Sequence, residues 1–599
     1  MPRPRVSSSR FCVAILLVLC AVYCNFSAAC APARAQVGTA TARALHAGQR
    51  PKLVVVISID QFRADYLRRL TDLFLPAEPT RGTVGGFRYL MTAGSDFLDA
   101  RYDHFPLYTG PGHSIILTGS HPYKTGIVSN DWWSRSEKRG VYCVDDLRFK
   151  TVGAAPGGEA DTHPMGPGNL RSTTVGDELK LATAGRARVV SLSFKDRAAI
   201  LLGGHAQDVC LWFDGDGGRW VSSTAYAKDG KLPAWVDAVN RESIPDKAIG
   251  QTWTPSVSAA VLAERSLPAP LPESVNPSGV GRAFPHVVPN TRNRAGYTAF
   301  SLTPSGNAYV FETAKRAVVG EKLGQRDAPD LLAFNLATND YVGHAFGPYS
   351  PEALDLTVQT DRQLSDFLNF LNRTVPGGLK NCVVAVTADH GAAPFPEDLT
   401  ARDMPGGRYT SRSVPDAIQK GLSARFGDDT YIAQSADGKE NGGFIENFVY
   451  LNDEAIGHIL AANKARNRAE VERAAADAIE ALNLPGIYAV YTRSQILTGQ
   501  MPNNDLARHL ANAIYPSVSG DLIVVNEQDY LSSRPGTTSH GTPYAYDTHV
   551  PLLISGFGIT PGTWADPVTV ADLAPTLCTL LGIEFPSGCD GVLLKAALR

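Results

Sequence analysis

Four short apolar segments, each followed directly by polar residues, constrain the fold of this 599-residue chain more than any other feature. The first, Lys52 to Asp60 (KLVVVISID), is rich in β-branched residues and ends in an acid. Similar segments run from Arg188 to Ser193, from Asp330 to Asn339 and from Val383 to Ala388. Apolar runs without alternation are typical of parallel strands that are buried on both faces. The chain therefore predicts a mostly parallel central sheet.

Helical patterns lie between these predicted strands. One covers Gly112 to Leu117 after Pro111, and another covers Pro351 to Leu371 with apolar residues at helical spacing. Strands that alternate with helices indicate an α/β fold with right-handed crossovers. In such folds the ligand binds beyond the carboxyl ends of the strands, which is where the polar residues of each segment would meet.

Composition excludes some classes of protein. The chain is 44% hydrophobic and 19% charged, which is typical of a globular protein rather than a disordered one. Lys and Arg number 56 against 59 Asp and Glu, so no basic excess favours a nucleic-acid partner. At this length the chain can bury a large core without disulfide bonds.

The amino-terminal segment predicts a secretory signal peptide, residues 1–35. Three arginines precede the 14-residue apolar run Phe11 to Cys24, which is short for a membrane span, and Ala33-Arg34-Ala35 offers a cleavage site. Removing this segment removes four arginines, so the formal charge of the mature chain falls from −3 to −7. Among the five remaining cysteines there is no C-x-x-C pair, and a disulfide between Cys578 and Cys589 is left open.

Six acids and imidazoles at strand ends or short spacings predict a metal site. Asp340 and His344 are four residues apart, so on a helical turn both side chains can reach one cation. Mixed His and Asp ligands without Cys favour zinc or a similar metal over calcium. Two such ions about 4 Å apart would suit in-line displacement at phosphorus. The predicted ligands are Asp60, Asp340, His344, Asp389, His390 and His549.

Any one of these residues has an ordinary explanation. An aspartate at a strand end is commonly a helix cap or a turn residue, and a single histidine is commonly a hydrogen-bonded core residue. The Asp-x-x-x-His spacing also occurs often by chance. The prediction depends on the joint pattern, in which the members are placed around apolar strands.

Thr109 is the candidate nucleophile. It precedes Pro111 and an apolar helical run, which places it at or just before a helix amino terminus, where free N–H groups attract phosphate. A metal ion can convert a threonine hydroxyl into an alkoxide. Taken alone, Thr109 is better explained as an ordinary helix cap.

Lys195 and Arg197 form a basic pair directly after a predicted strand. If this segment is extended, both side chains share one face and can bind one anion, with Arg as a fork and Lys as a point charge. Most pairs of this kind are solvated surface residues, and the position at a strand end favours the functional interpretation.

Six separated blocks together resemble the alkaline phosphatase superfamily. Within it the chain is similar to the phosphate-irrepressible bacterial alkaline phosphatases, which are related to type I phosphodiesterases and nucleotide pyrophosphatases. The blocks are ISIDQFRADYL from Ile57, TGPGHSIILTGSHPYKTGIVSNDWW from Thr109, SFKDRA from Ser193, NLATNDYVGHAFGP from Asn335, TADHGAAP from Thr387 and YDTHVPLL from Tyr546.

The resemblance implies specific roles for these residues. Thr109 would be the nucleophile that forms a phospho-enzyme, and Asn130, Lys195 and Arg197 would contact phosphoryl oxygens. Two zinc ions per chain are implied, one held by Asp340, His344 and His549 and the other by Asp60, Asp389, His390 and Thr109. The magnesium position of the dimeric alkaline phosphatases has no clear acid in this chain, and no sulfatase C-x-P-x-R motif is present.

The resemblance also implies the activity. Lys195 and Arg197 match the monoesterases, so the chain is expected to be a periplasmic or secreted monomer that hydrolyses many phosphate monoesters and, more weakly, diesters. Two alternatives are a nucleotide pyrophosphatase/phosphodiesterase and a non-catalytic phosphate-binding protein.

The implied fold is a three-layer α/β sandwich around the mostly parallel sheet, with inserted cap regions. The predicted organisation is the signal peptide 1–35, core segments 50–205, 326–400 and 516–599, a loop-rich insertion 206–325 and a small α+β insertion 401–515.

Overall fold

A computed structural model describes residues 49–77, 83–435 and 437–598 of the protein. The predicted signal peptide, residues 1–35, lies outside these described residues. The strands are β1 Leu53–Ile59, β2 Gly94–Arg101, β3 Asp131–Ser134, β4 Arg139–Tyr142, β5 Thr151–Val152, β6 Val189–Leu192, β7 Val209–Asp214, β8 Arg219–Ser223, β9 Thr252–Trp253, β10 His286–Val287, β11 Asp330–Leu336, β12 Cys382–Thr387, β13 Gly407–Arg408, β14 Phe448–Val449, β15 Ile487–Thr492, β16 Leu522–Asn526, β17 Tyr530–Leu531, β18 His549–Gly556, β19 Gly562–Trp564 and β20 Val568–Thr569.

The helices of eight or more residues are α1 Thr109–Thr118, α2 Val175–Ala182, α3 Asp196–Gly203, α4 Ala234–Arg241, α5 Arg294–Ser301, α6 Pro304–Gly320, α7 Thr338–Phe346, α8 Pro351–Thr374, α9 Ser413–Phe426, α10 Asp453–Ala462, α11 Arg468–Glu480, α12 Asp505–Ala513 and α13 Leu573–Leu581. Within the described residues, no helix is both long enough and apolar enough to cross a membrane.

The central sheet has eleven strands. Ten follow the order β19-β2-β18-β12-β1-β11-β6-β7-β8-β5, and β20 pairs with β2. Strands β12, β1, β11, β6 and β7 are parallel, whereas β18 is antiparallel to both its neighbours. The α/β class and the mostly parallel sheet predicted from the sequence are confirmed.

Helices cover both faces of this sheet. All seven residues of β1 and of β11 are buried, and successive strand residues point to opposite faces, so neither face is solvated there. Helices α1, α2, α3 and α13 contact one another, and α5, α6, α7 and α8 form a second set of contacting helices. The helix predicted from Pro351 to Leu371 is present as α8, which continues to Thr374.

The two predicted insertions differ from the sequence-based boundaries. Segment 206–325 is not wholly outside the core, because β7 and β8 extend the central sheet. Segment 401–515 forms much of a small α+β module, but its three-stranded sheet, β14-β16-β15, includes β16 from beyond residue 515. Helices α9, α10 and α11 share an apolar cluster with this sheet.

A buried histidine ties the carboxy-terminal segment to the core. The His121 ring lies 2.7 Å from Asp103 Oδ1 through Nε2 and 3.2 Å from Asp590 Oδ2 through Nδ1. Burial alone would lower the pKa of His121, but the two carboxylates outweigh it and raise that pKa to about 9. The same hydrogen bond lowers the pKa of Asp103 to about 2, against the effect of burial.

We expect this contact to make the protein less stable at alkaline pH. Because the folded-state pKa of His121 is raised from 6.5 to about 9, its stabilisation is complete below pH 6.5 and is lost as the pH rises through 9. Over this pH range the free energy of unfolding should fall by about 3 kcal/mol. Urea unfolding at pH 6.5 and pH 10 should show this loss in the native protein and a smaller one in His121→Gln. Exposed His163→Gln is the control, and equal losses in all three proteins would contradict the prediction.

Candidate active site

Three buried carboxylates meet at the carboxyl edge of the parallel strands. Asp60 is the residue directly after β1, and Asp389 is the second residue after β12. Asp340 lies in the first turn of α7, which follows β11. All three are at most 3% exposed. Because β1 pairs in parallel with both β11 and β12, the three chain segments leave the sheet side by side. This register brings together acids that are far apart in the sequence.

Three histidine rings complete this group, and each is oriented by a backbone carbonyl. The Nδ1 atom of His344 lies 2.7 Å from the carbonyl oxygen of Thr538. The Nδ1 atom of His390 lies 2.9 Å from that of Gly391, and the Nδ1 atom of His540 lies 3.0 Å from that of Leu107. A carbonyl only accepts, so Nδ1 carries the hydrogen and a neutral ring keeps its lone pair on Nε2. This is the arrangement typical of metal-binding histidines.

The Nε2 atoms face the carboxylates. His344 Nε2 lies 3.2 Å from Asp340 Oδ1, and His390 Nε2 lies 3.2 Å from Asp389 Oδ2. The His540 ring stacks on the His390 ring with 3.5 Å between centroids. Two groups have ligand atoms within 4.8 Å of one another and contain these histidines: Asp340, His344 and His540, and Asp60, Asp340 and His390.

The structure corrects the prediction for His549. This residue begins β18, pairs with Arg101 of β2, and places its Nε2 2.8 Å from the Leu98 carbonyl. It belongs to none of the clusters of possible metal ligands in the described residues, and His540 lies beside His344 and His390 instead. The apolar run after His549 forms β18, and the His549 side chain points towards β2. The run by itself does not show in which direction this side chain points.

The fold of the 538–541 segment explains why His540 reaches the site. Thr538 N donates to His344 O, and Ala393 N donates to Ser539 O, so the segment is fixed between α7 and the turn after His390. Gly541 has φ +100°, and a Cβ there would lie 2.6 Å from the Tyr108 ring, so this turn requires glycine. A His-Gly pair also occurs at His390-Gly391, and this repeat is a signal that could have identified His540.

The residues present fit divalent cations. Oδ2 of Asp389 is buried without a hydrogen bond. Burial, followed by the neighbouring Asp389, raises the pKa of Asp60 well above its usual value. Burial lowers the pKa of both His390 and His540, which favours neutral rings that can bind a metal. The donor set of carboxylates and imidazoles, with no thiolate, matches zinc or a similar metal.

Thr109 is the first residue of α1, as predicted, and its side chain is directed into this cluster. Its Oγ1 lies 3.4 Å from His390 Nε2 and 3.5 Å from Arg197 Nη2. Gly112, on the next turn, packs against the strand end that carries Asp389. A Cβ at Gly112 would lie 2.2 Å from the Asp389 carbonyl oxygen, so glycine permits this close approach.

The structure brings Arg197 to Thr109 and Lys195 to the neighbouring carboxylates. Of the two residues, only Lys195 is extended, because Arg197 is already helical. Lys195 precedes α3 and Arg197 lies in its first turn. Lys195 Nζ lies 2.9 Å from Asp60 Oδ1 and 2.6 Å from Asp340 Oδ2, so it pairs with two candidate metal ligands. Arg197 donates to the Tyr142 hydroxyl over 2.9 Å, and its Nε is buried without a hydrogen-bond partner.

Asn130 lies on the other side of Thr109. Its Oδ1 accepts from Gly110 N over 2.7 Å, and its Nδ2 donates to Glu446 Oε1 over 2.9 Å. Asn130 is therefore attached to Gly110, the residue that follows the candidate nucleophile.

Sequence analysis missed three polar residues here besides His540. The His113 ring contacts Thr109 O and lies 3.1 Å from Asp389 Oδ2. Gln61 donates to Asp340 Oδ1 through Nε2 and to Asp389 Oδ1 through its backbone N–H. Glu446 comes from the small module. Only His113 had a local signal, since it lies one helical turn after Thr109.

A cleft of about 840 Å³ opens over this site. Lys195, Arg197 and His344 line its inner end, and aromatic side chains such as Phe194 and Tyr297 line its wall. A space of this volume can hold groups of varied size beside Arg197.

Comparisons with known proteins place these features in context. A family model described as type I phosphodiesterase / nucleotide pyrophosphatase matches residues 54–549. The alkaline phosphatase PhoV of Synechococcus elongatus is 34% identical over 92% of this chain and 93% of its own length. The alkaline phosphatase PafA of Elizabethkingia meningoseptica is 33% identical over 92% of this chain and 96% of its own length. The crystal structure of wild-type PafA superposes with a TM-score of 0.81 at 33% identity, covering 92% of this chain and all of that one.

Proposed function

Because the chain belongs to the type I phosphodiesterase/nucleotide pyrophosphatase family of the alkaline phosphatase superfamily, we propose that it is an alkaline phosphatase that releases phosphate from many phosphate monoesters. Its class, phosphoric monoester hydrolase, is supported by curated relatives that carry the name alkaline phosphatase. The proposal goes further in four respects: two zinc ions, a phospho-threonine intermediate, export from the cell and a monomeric state.

Two zinc ions would be held by the clustered carboxylates and imidazoles. One would be bound by Asp340, His344 and His540, and the other by Asp60, Asp389, His390 and the Thr109 hydroxyl oxygen. When bound, such ions lower the pKa of a coordinated hydroxyl and neutralise charge on the phosphoryl group. Two observations support this assignment: the Nε2 atoms of His344 and His390 face carboxylates, and Asp389 Oδ2 is buried without a hydrogen bond.

The chain's own residues would then perform two displacements at phosphorus. The Thr109 oxygen, after losing its proton, bonds to phosphorus while the bond to the leaving oxygen breaks, which yields phospho-threonine. Water then attacks the same phosphorus, the bond to Thr109 breaks, and inorganic phosphate leaves. Asn130 and Arg197 would hold the non-bridging oxygens in place through both steps, since this chemistry depends on positioning and charge neutralisation.

One observation carries the choice of monoesters over diesters: the Arg197 guanidinium, beside Thr109, has a buried Nε with no hydrogen-bond partner. A monoester dianion offers three non-bridging oxygens and the charge to pair with this fork. A diester replaces one of these oxygens with an ester group and carries one charge less. Lys195 adds a second cation at the same end of the cleft.

We expect Arg197→Ala to lower kcat/KM for 4-nitrophenyl phosphate by about 100- to 1000-fold, because one preorganised donor group is lost from the transition state. Its kcat/KM for bis(4-nitrophenyl) phosphate should change less than about tenfold. Both esters release the same chromophore, so one assay measures both. Arg135→Ala, which removes a guanidinium in contact with Asp521 and Ser519, is the control for loss of a buried arginine.

The same assay tests the function itself. The native protein should hydrolyse the monoester with the higher kcat/KM. A higher value for the diester would favour a nucleotide pyrophosphatase/phosphodiesterase, and no turnover of either ester would favour a phosphate-binding protein.

Export and a monomeric state complete the proposal. The basic and apolar pattern of residues 1–35 supports a cleaved leader, and mass spectrometry of the exported protein should find Gln36 as its first residue. Light scattering of that product should give the mass of one chain.

A further inference from the structure

A two-residue turn in the small module has an unusual backbone. Ile445 and Phe448 exchange backbone hydrogen bonds of 2.8 and 2.9 Å, and the residues between them, Glu446 and Asn447, have φ of +46° and +72°. This is the pattern of a type I′ turn, in which glycine or asparagine is usual. A glutamate in the left-handed region is uncommon, and such conformations concentrate at functional sites.

Glu446 extends from this turn to Asn130. Its Oε1 accepts from Asn130 Nδ2 over 2.9 Å, its Oε2 accepts from Asn130 N over 2.7 Å, and Ser129 Oγ also donates to it. The carboxylate can only accept and Gly110 N can only donate, so the Asn130 amide is held in one orientation, with Oδ1 towards Gly110. One Nδ2 hydrogen is used by Glu446, which leaves the other for a ligand.

Asn447 contacts the opposite side of the same site. Its Oδ1 accepts from the Tyr108 hydroxyl over 2.7 Å, and its Nδ2 donates to Val524 O in β16 over 2.8 Å. Tyr108 directly precedes Thr109 and is the N-cap residue of α1. The turn is thus fixed to its own sheet and touches the residues on both sides of the nucleophile, Tyr108 and, through Asn130, Gly110.

We propose that Glu446 and Asn447 are positioning residues for phosphoryl transfer, and that the small module completes the active site by orienting Asn130 and the start of α1. This inference rests on the proposed function, since it assigns residues that act through Asn130 and Thr109. Neither residue touches the metal-ligand cluster in the hydrogen bonds described above. The effect should therefore appear in turnover while metal content stays native.

The first test is Glu446→Gln in the full chain. A glutamine presents one donor and one acceptor where two acceptors are needed, so either Asn130 N or Asn130 Nδ2 loses its partner. We expect kcat for 4-nitrophenyl phosphate to fall about 10- to 100-fold through misplacement of the amide, with zinc content unchanged. Glu440→Gln, an exposed carboxylate of the same module that accepts from Gly140 N, is the matched control.

A double-mutant cycle separates positioning from general destabilisation. If Glu446 acts through Asn130, then Glu446→Gln should cost less than about twofold in an Asn130→Ala background. The same loss in both backgrounds would overturn the proposal, as would native kcat in Glu446→Gln.

A second variant covers the case in which Glu446→Gln does not fold. Asn447→Gly keeps a residue suited to φ +72° but removes the hydrogen bonds to Tyr108 and to Val524 O. We expect it to fold with a lower unfolding midpoint and, measured below that midpoint, to lose several-fold in kcat. Unchanged kcat in this variant would remove Asn447 from the proposal. Absence of turnover in the native protein would instead refute the proposed function, so the two failures are distinguishable.

Discussion

Replacing Thr109 with alanine is expected to abolish phosphate release, with kcat for 4-nitrophenyl phosphate reduced by on the order of 10⁴-fold or more. Its Oγ1 lies between His390 Nε2 and Arg197 Nη2. Thr109 also begins α1, and the free N–H groups at a helix amino terminus attract anions. The substitution removes the proposed nucleophile, whereas Arg197, Asn130 and the other proposed metal ligands remain. Only activity that does not need a covalent intermediate should persist.

Three further measurements make this test specific. Thr109→Ser keeps a hydroxyl and should retain measurable turnover. Thr118→Ala removes a hydroxyl that hydrogen-bonds to Ser114 O at the other end of the same helix, and it should remain fully active. Acid quenching during turnover of a ³²P-labelled monoester should trap label on the native protein and none on Thr109→Ala. Retention of label or of turnover in that variant would sink the covalent mechanism.

The second large effect is expected at His540. His540→Ala should lower zinc affinity by at least about 100-fold, because losing a ligand should cost at least as much as losing a group that only orients one, and activity should fall with it. The His540 residue is 8% exposed, its ring stacks on His390, and its Nδ1 is fixed by Leu107 O, so its Nε2 is held in place. Metal analysis by mass spectrometry should find two zinc ions in the native protein and fewer in the variant.

His549→Ala is the control that the chain itself offers. This histidine was predicted as a ligand, but its ring contacts Leu98 O at the start of β18. Its loss should cost about 1 kcal/mol of stability or less and leave zinc content and kcat near native values. If His549→Ala loses zinc while His540→Ala retains it, the assignment drawn from the structure is wrong.

Local sequence patterns were sufficient for the parts of the site that strands and helix ends present directly. Asp60 and Asp389 lie just past apolar runs, and parallel strands place such positions at one edge. Asp340 and His344 lie four residues apart in one helix, so their spacing alone places both side chains on the same face. Thr109 begins a helix because Pro111 lies in the first turn and an apolar run follows it.

What the amino-acid order alone determined was the sheet, its polar edge and the residues attached rigidly to it. The tertiary structure decided which histidine lies beside His344 and His390 and which residues contact Asn130. His540 and Glu446 lie on loops whose positions depend on contacts hundreds of residues away in the chain, such as Thr538 with His344 and Asn447 with Tyr108. Hydrophobic periodicity predicts which residues share a face within one helix or strand. Hydrogen bonds between distant parts of the chain form only once the helices and strands have packed.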